Sequence, residues 1–196
     1  MSQRRAYGFT LIELMVTITL SAILLTIAVP SFQTAINSNR LTSAAGEMAA
    51  SLQVARIEAI RYGRRTVVCL STNANSAAPS CAADNATNAS GWLVFVDMNT
   101  NNTYNSGTDR LLRIGTTHSA VRVLGSSNML GKVKVLFRSD GMARTSTGTV
   151  LTGTIDMCIP TRLPPENVRH INIRGASSAV VRFNSGTNVC SEPSNS

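Results

Sequence analysis

One stretch constrains everything else this chain can do. From Phe9 to Val29 the residues are apolar, small or hydroxylated, and Glu13 is the single ionisable side chain among them. Wound as a helix at 1.5 Å per residue, the run is about 30 Å long, the thickness of a bilayer core. Ahead of it stands Met-Ser-Gln-Arg-Arg-Ala-Tyr-Gly, made basic by Arg4 and Arg5. Cations before the first apolar span favour keeping that end in the cytoplasm. An ordinary secretory signal places its small-residue cleavage site after the apolar centre. Here the small residue, Gly8, precedes the run. A cut after Gly8 leaves the apolar helix on the mature protein, with Phe9 as its first residue.

The hexapeptide Gly8-Phe-Thr-Leu-Ile-Glu13 resembles the class III leader of type IV pilins and of type II secretion pseudopilins. The resemblance implies cleavage after Gly8 by a prepilin peptidase and N-methylation of Phe9. It also implies an assembly role for Glu13, which would pair with the N-terminal amine of a neighbouring subunit, and a helix kink at Pro30. A carboxylate inside a membrane helix is costly and marks function by default.

Past Pro30 a helical pattern resumes. Leu41, Ala45, Met48, Leu52, Ala55, Ala59 and Tyr62 alternate spacings of four and three, one face of an amphipathic helix. Gly63 is placed to close it as the C′ residue. From Thr66 the signal turns to strand: Thr66–Ser71, Trp92–Val96, Leu111–Ile114, Ala120–Leu124, Val133–Arg138, Thr154–Ile159, Arg169–Ile173 and Val180–Phe183. The Ala/Ser/Asn/Pro stretch 73–90 reads as an exposed loop. Ser139-Asp140-Gly141 reads as a turn, and Gly175–Ser178 as the turn of a closing hairpin. The predicted class is α+β, a long N-terminal helix packed on antiparallel sheet. Its divisions are a leader over 1–8, a transmembrane and assembly half of the helix over 9–30, an amphipathic half over 31–63, and a β-rich globular domain over 64–196.

The chain carries a net charge of +8. Between Arg110 and Arg182 there are 11 Lys/Arg and three acids, Asp140, Asp156 and Glu166. Such a balance suits nucleic acid, an anionic surface or acidic sister subunits. The cysteines are Cys69, Cys81, Cys158 and Cys190, with no C-x-x-C pair and no histidine near them in sequence, which argues against zinc. Outside the cytoplasm disulfides form, and four cysteines allow three connectivities. Cys69–Cys81 and Cys158–Cys190 are favoured because each pair brackets a loop-rich stretch.

Asp97-Met-Asn99-Thr-Asn101 has the opening of a calcium loop, yet the next residue is Asn102 instead of Gly and no Glu follows at the bidentate position. An Asn-rich turn is the expected alternative. No nucleophile elbow, Walker loop or H-E-x-x-H motif is present, so no catalytic activity and no cofactor are expected.

The globular segments narrow the resemblance. Gly91-Trp-Leu-Val-Phe-Val-Asp97 followed by Leu111-Leu-Arg113, then Val135–Gly141 and the hairpin Ile171–Phe183, are similar to the GspH/FimT/FimU branch of minor pilins and pseudopilins. That branch implies a subunit that is inserted in the inner membrane as a single pass with a periplasmic domain and then drawn into a fibre. Its partners would be other minor pilins and the major pilin, and its place the tip complex where assembly is primed. The alternatives within the branch are the H-type pseudopilin of a type II secretion system and a FimT-like DNA-binding pilin. FimT-like proteins bind DNA through Gly-Arg-x-Arg in the closing hairpin. Here the nearest match is Ala179-Val-Val-Arg182, which keeps only the last arginine. Arg169, Arg174 and Arg182 are the candidate phosphate contacts, and binding through them would be independent of base sequence. Strand alternation sets Arg169 and Arg174 on opposite faces.

Overall fold

The structure is a computed structural model that describes residues 9–183 and 188–195, with the side chains of 182 and 183 outside that description. A single helix, α1 (Leu11–Tyr62), runs for 52 residues, about 78 Å at the ordinary rise. Thr10 caps it, its Oγ1 accepting the Glu13 N–H at 3.2 Å. The sequence Thr10-Leu-Ile-Glu13 carries the spacing of a capping box, and Glu13 in the first turn complements the helix dipole. The helix passes through Pro30 without ending. At the far end Gly63 takes φ +60°, and the Gly63 and Arg64 N–H groups return to Ile60 O and Ala59 O, each at 3.2 Å. This is a Schellman closure.

The two halves of α1 have opposite environments. Through Phe9–Val29 the side chains stand exposed, Phe9 at 82% and Ile27 at 69%. Burial begins at Leu41 and continues through Ala44, Ala45, Met48, Ser51, Leu52, Ala55 and Ala59. These residues recur with helical period, so one face reaches the sheets while Glu47 and Gln53 look outward.

Nine strands follow: β1 (Thr66–Ser71), β2 (Gly91–Val96), β3 (Arg110–Thr116), β4 (Arg122–Gly125), β5 (Lys134–Phe137), β6 (Ala143–Arg144), β7 (Thr152–Cys158), β8 (Val168–Arg174) and β9 (Ser177–Phe183). They form two antiparallel sheets, β3-β2-β1-β5-β6 and β4-β7-β8-β9. Both lay one face on α1. Val68, Leu70, Trp92, Val94, Val135 and Phe137 of the first sheet share a core with Val123, Ile155, Met157, Ile171 and Ile173 of the second and with the helix stripe. The short β6, absent from the expected strands, pairs with β5 across the Ser139–Gly141 turn. The closing hairpin is tighter than expected, with Arg174 directly opposite Ser177.

Trp92 lies at the centre. It is fully buried, and its indole N–H donates to Ser51 Oγ at 2.9 Å. A buried indole needs such a partner. The serine in turn donates to Glu47 O at 2.8 Å, so both polar groups are satisfied.

The stretch 73–90 is the largely exposed loop expected, with three alanines turned inward. It has no regular strand, but Ala74, Ala82 and Ala89 are buried. The Cys69–Cys81 bridge draws it over the outer face of β1, where Val67, Cys69, Leu93, Phe95 and Leu136 form a second small core. Strands β1 and β2 are thus covered on both faces, which is why Gly91–Val96 reads as a continuous apolar run. The second bridge, Cys158–Cys190, fastens the C-terminal segment to β7.

Candidate functional site

The first candidate is the exposed start of α1. Gly8, the expected cleavage residue, lies outside the described residues. Phe9 and Glu13 are both exposed, and the Glu13 carboxylate has no hydrogen-bond or ion-pair partner among the described residues. The hydroxyls of this stretch turn back onto their own helix. Thr17 donates to Leu14 O at 2.9 Å, Ser21 to Thr17 O at 2.7 Å and Thr26 to Ile23 O at 2.6 Å. A helix whose hydroxyls are internally bonded is suited to lipid, where no water can satisfy them. Glu13 is the one charged group of this stretch, and among the described residues its carboxylate stands unpaired.

The basic candidates separate. Arg169, expected at the surface as a phosphate contact, is 2% exposed. Its Nη1 donates to Glu166 O at 2.8 Å and Val168 O at 3.1 Å, and its Nη2 to Ser38 Oγ at 3.1 Å. It locks β8 to α1 and is removed from the candidate DNA contacts, because its strand position faces the helix along with Ile171 and Ile173. Arg174 is exposed on the other face. The Arg182 backbone stands opposite Arg169 in the β8–β9 pairing, and its side chain lies outside the described residues.

Around Asp97, Asn99 and Asn101 the chain forms an Asn-rich loop closed on its own backbone. The Asp97 oxygens accept the N–H groups of Asn101 and Asn102 at 3.2 and 3.0 Å. Asn99 Oδ1 accepts from Asn101 N and Asn101 Oδ1 from Thr103 N. Asp109 mirrors Asp97, taking Met98 N at 2.9 Å and Asn105 N at 2.7 Å. Two buried aspartates thus hold the 97–109 loop from both ends, their oxygens directed at backbone instead of converging on a cation. The pairing of Asp109 with Asp97 has no short-range motif by which the sequence could announce it.

His170 and Asp156 face each other across β8 and β7 and are hydrogen-bonded through Nδ1 and Oδ1. Burial pushes the Asp156 carboxyl above the ordinary carboxylate range, opposed by the bond to His170. His118 stands apart. Its Nδ1 accepts the Ala120 N–H at 3.1 Å beside a cleft that Arg40 and Glu47 also line.

Two family models cover this chain. One, described as a prokaryotic N-terminal methylation motif, matches residues 3–29. The other, described as type II transport protein GspH, matches residues 44–187. The chain belongs to the GspH family. No curated protein and no solved structure matches it. As a GspH-family protein with a prepilin methylation motif, it is a pilin-like subunit of a type IV pilus or type II secretion fibre, and it assembles with other pilins. Its apolar N-terminal helix is that of a membrane-anchored pilin. The two matches divide α1 where its environment divides, since 3–29 holds the exposed half and 44 lies at the onset of the buried stripe.

Proposed function

We propose that this GspH-family protein is a minor pilin of a type IV pilus, a non-catalytic subunit that primes assembly and occupies the tip complex. It is processed after Gly8 by a prepilin peptidase, N-methylated at Phe9 and held in the inner membrane with its β-domain in the periplasm. From there it is drawn into the fibre. The observation that supports the assembly role, common to both kinds of fibre, is the helix itself: one continuous α1 exposes an apolar half with a lone carboxylate and buries the other half in its own domain. Such a half-exposed helix is stable only in lipid or against sister helices, and Glu13 supplies the charge for a neighbouring N-terminal amine. Glu13→Ala should leave membrane insertion intact and reduce the amount of subunit recovered in sheared pili. Mutant pili that hold wild-type amounts would sink the proposal.

A second reading, the H-type minor pseudopilin of a type II secretion system, is favoured by the description of the matching family model. Both fibres use the same helix, so the readings part at the phenotype. Deletion that blocks exoprotein secretion and spares twitching supports the pseudopilin. The opposite pattern supports the pilin. DNA binding for transformation is the weaker alternative, because Arg169 is committed to the core and the first arginine of the hairpin motif is missing.

A further inference from the structure

The far end of α1 carries a cationic cap that the membrane half does not explain. Arg61, Arg64, Arg65, Arg110 and Arg138 gather around the Gly63 turn. Arg64, Arg65 and Arg138 line an open cleft of about 320 Å³ together with Gly63, Asp97, Thr100 and Ser139. Arg65 is already committed, held by Asn102 Oδ1 and 3.9 Å from Asp97 Oδ2. Arg64 and Arg138 are exposed and make no ion pair among the described residues. Three acids within the cap are withdrawn. Asp97 and Asp109 are buried on backbone N–H groups, and Glu58 is 3.3 Å from Arg61. Asp140, next to Arg138, is taken by Arg144 at 2.5 Å and by the Met142 N–H at 2.9 Å. The exposed groups of the cap thus include the Arg64 and Arg138 guanidiniums and one carboxylate, Asp140, whose charge is already engaged by Arg144.

Part of the cap answers to the negative end of the helix dipole. Arg138 does not, because it comes from the end of β5 and lines the cleft with Arg64. Two exposed arginines without ion pairs lining one cleft, with Thr100 and Ser139 beside them, offer guanidinium donors of the kind that bind a planar carboxylate.

We propose that this distal cleft docks a carboxylate-bearing segment of a different, acidic fibre subunit. A second copy of this chain is a poor occupant, since it too carries +8. The one aromatic ring in the cap, Tyr62, already lies against Arg61 and Arg110, at 5.7 and 5.3 Å, so base stacking by a single strand would compete with those contacts, and a duplex, which needs no stacking, is an outcome of the test. The cap is at the opposite end of α1 from the membrane run, where a neighbour further along a fibre would sit. The identity of the partner as a fibre subunit rests on the proposed assembly role; the affinity for carboxylate does not.

The test uses the full-length protein in detergent micelles, titrated against a fluorescent oligoglutamate peptide and a fluorescent DNA duplex at low and physiological salt. The expected result is peptide binding that weakens roughly tenfold in the Arg64→Gln, Arg138→Gln double variant and is unchanged by Arg174→Gln. Melting temperatures check that the variants fold. Absence of peptide binding, or binding indifferent to the double variant, overturns the proposal. So does a duplex that binds more tightly than the peptide and is released by the same two changes. In cells, a photo-cross-linking residue in place of Ser139 should attach to an Asp/Glu-rich segment of another pilin-like subunit, and only while Arg64 and Arg138 are intact. Cross-linking that ignores the double variant overturns the partner. Wild-type fibre entry of Glu13→Ala would instead defeat the assembly role and leave the peptide result standing.

Discussion

Two glycines show how strongly one residue's surroundings decide its role. A Cβ on Gly115 would lie 2.0 Å from Trp92 Cε2, inside a ring that cannot yield because Ser51 holds its N–H. Gly115→Ala should therefore cost ~1–3 kcal/mol by overpacking. At Gly46, exposed in mid-helix, a Cβ would meet nothing within 4 Å, and alanine should stabilise by ~0.5–1 kcal/mol. Thermal melts of both variants check the opposite signs. The carboxylates also oppose one another. The folded protein holds the Asp156 proton more tightly than the unfolded chain, so this group's contribution falls as pH rises from 3.8 through its raised folded value. Asp140 is held below 3.8, chiefly by Arg144, and its contribution is present above that value and lost as pH falls through the folded one. Asp156→Asn should thus gain on wild type as pH climbs past the raised value, with the gap closing toward acid. Denaturant midpoints across that range test it, and a variant less stable than wild type only at neutral pH would contradict it.

At the scale of elements, α1 begins and ends on local chemistry. Thr10 and Gly63 are cap residues in the positions their types prefer; the Gly63 end was read from the sequence, while the Thr10 cap emerged from the structure. The left-handed φ of Gly63 is the costly feature. Gly63→Ala meets no side-chain obstacle, so its penalty is pure backbone strain, about 1 kcal/mol, and Gly63→Asn should cost less. Melting of the two variants separates strain from packing. The strands were legible to within a few residues because β1, β2 and β5 are apolar runs bounded by turn residues. β6, two residues long, was not, because its strand character comes from β5 and from the bridge to Val150.

The whole molecule is a β-domain packed on the second half of a helix whose first half stays exposed. Tertiary contacts start at Asn37, whose amide donates to Leu163 O at 2.8 Å, and at Ser38 on Arg169. A chain that begins near Phe32 should accordingly be a soluble monomer with both disulfides. One that begins at Leu52 loses Leu41, Ala45 and Met48 from the core and should not fold. Size-exclusion chromatography and circular dichroism distinguish the two outcomes.

By itself the sequence determined the membrane-length run, its lone carboxylate, the buried stripe, the glycine that closes the helix and the α+β class. Each is written in periodicity or in a short ordered motif, and neither depends on distant partners. Tertiary structure alone decided the strand orders of the two sheets and which way each cation faces. Strand alternation already sets Arg169 and Arg174 on opposite faces, but only the packing of β8 on α1 makes Arg169 the inward one. Likewise Arg64 and Arg138 are far apart along the chain, and only the pairing of β5 with β1 carries Arg138 to the helix end. The physical reason is range: caps and periods are satisfied within a few residues, whereas a basic cleft or a buried ion is made by segments that meet only once the core has formed.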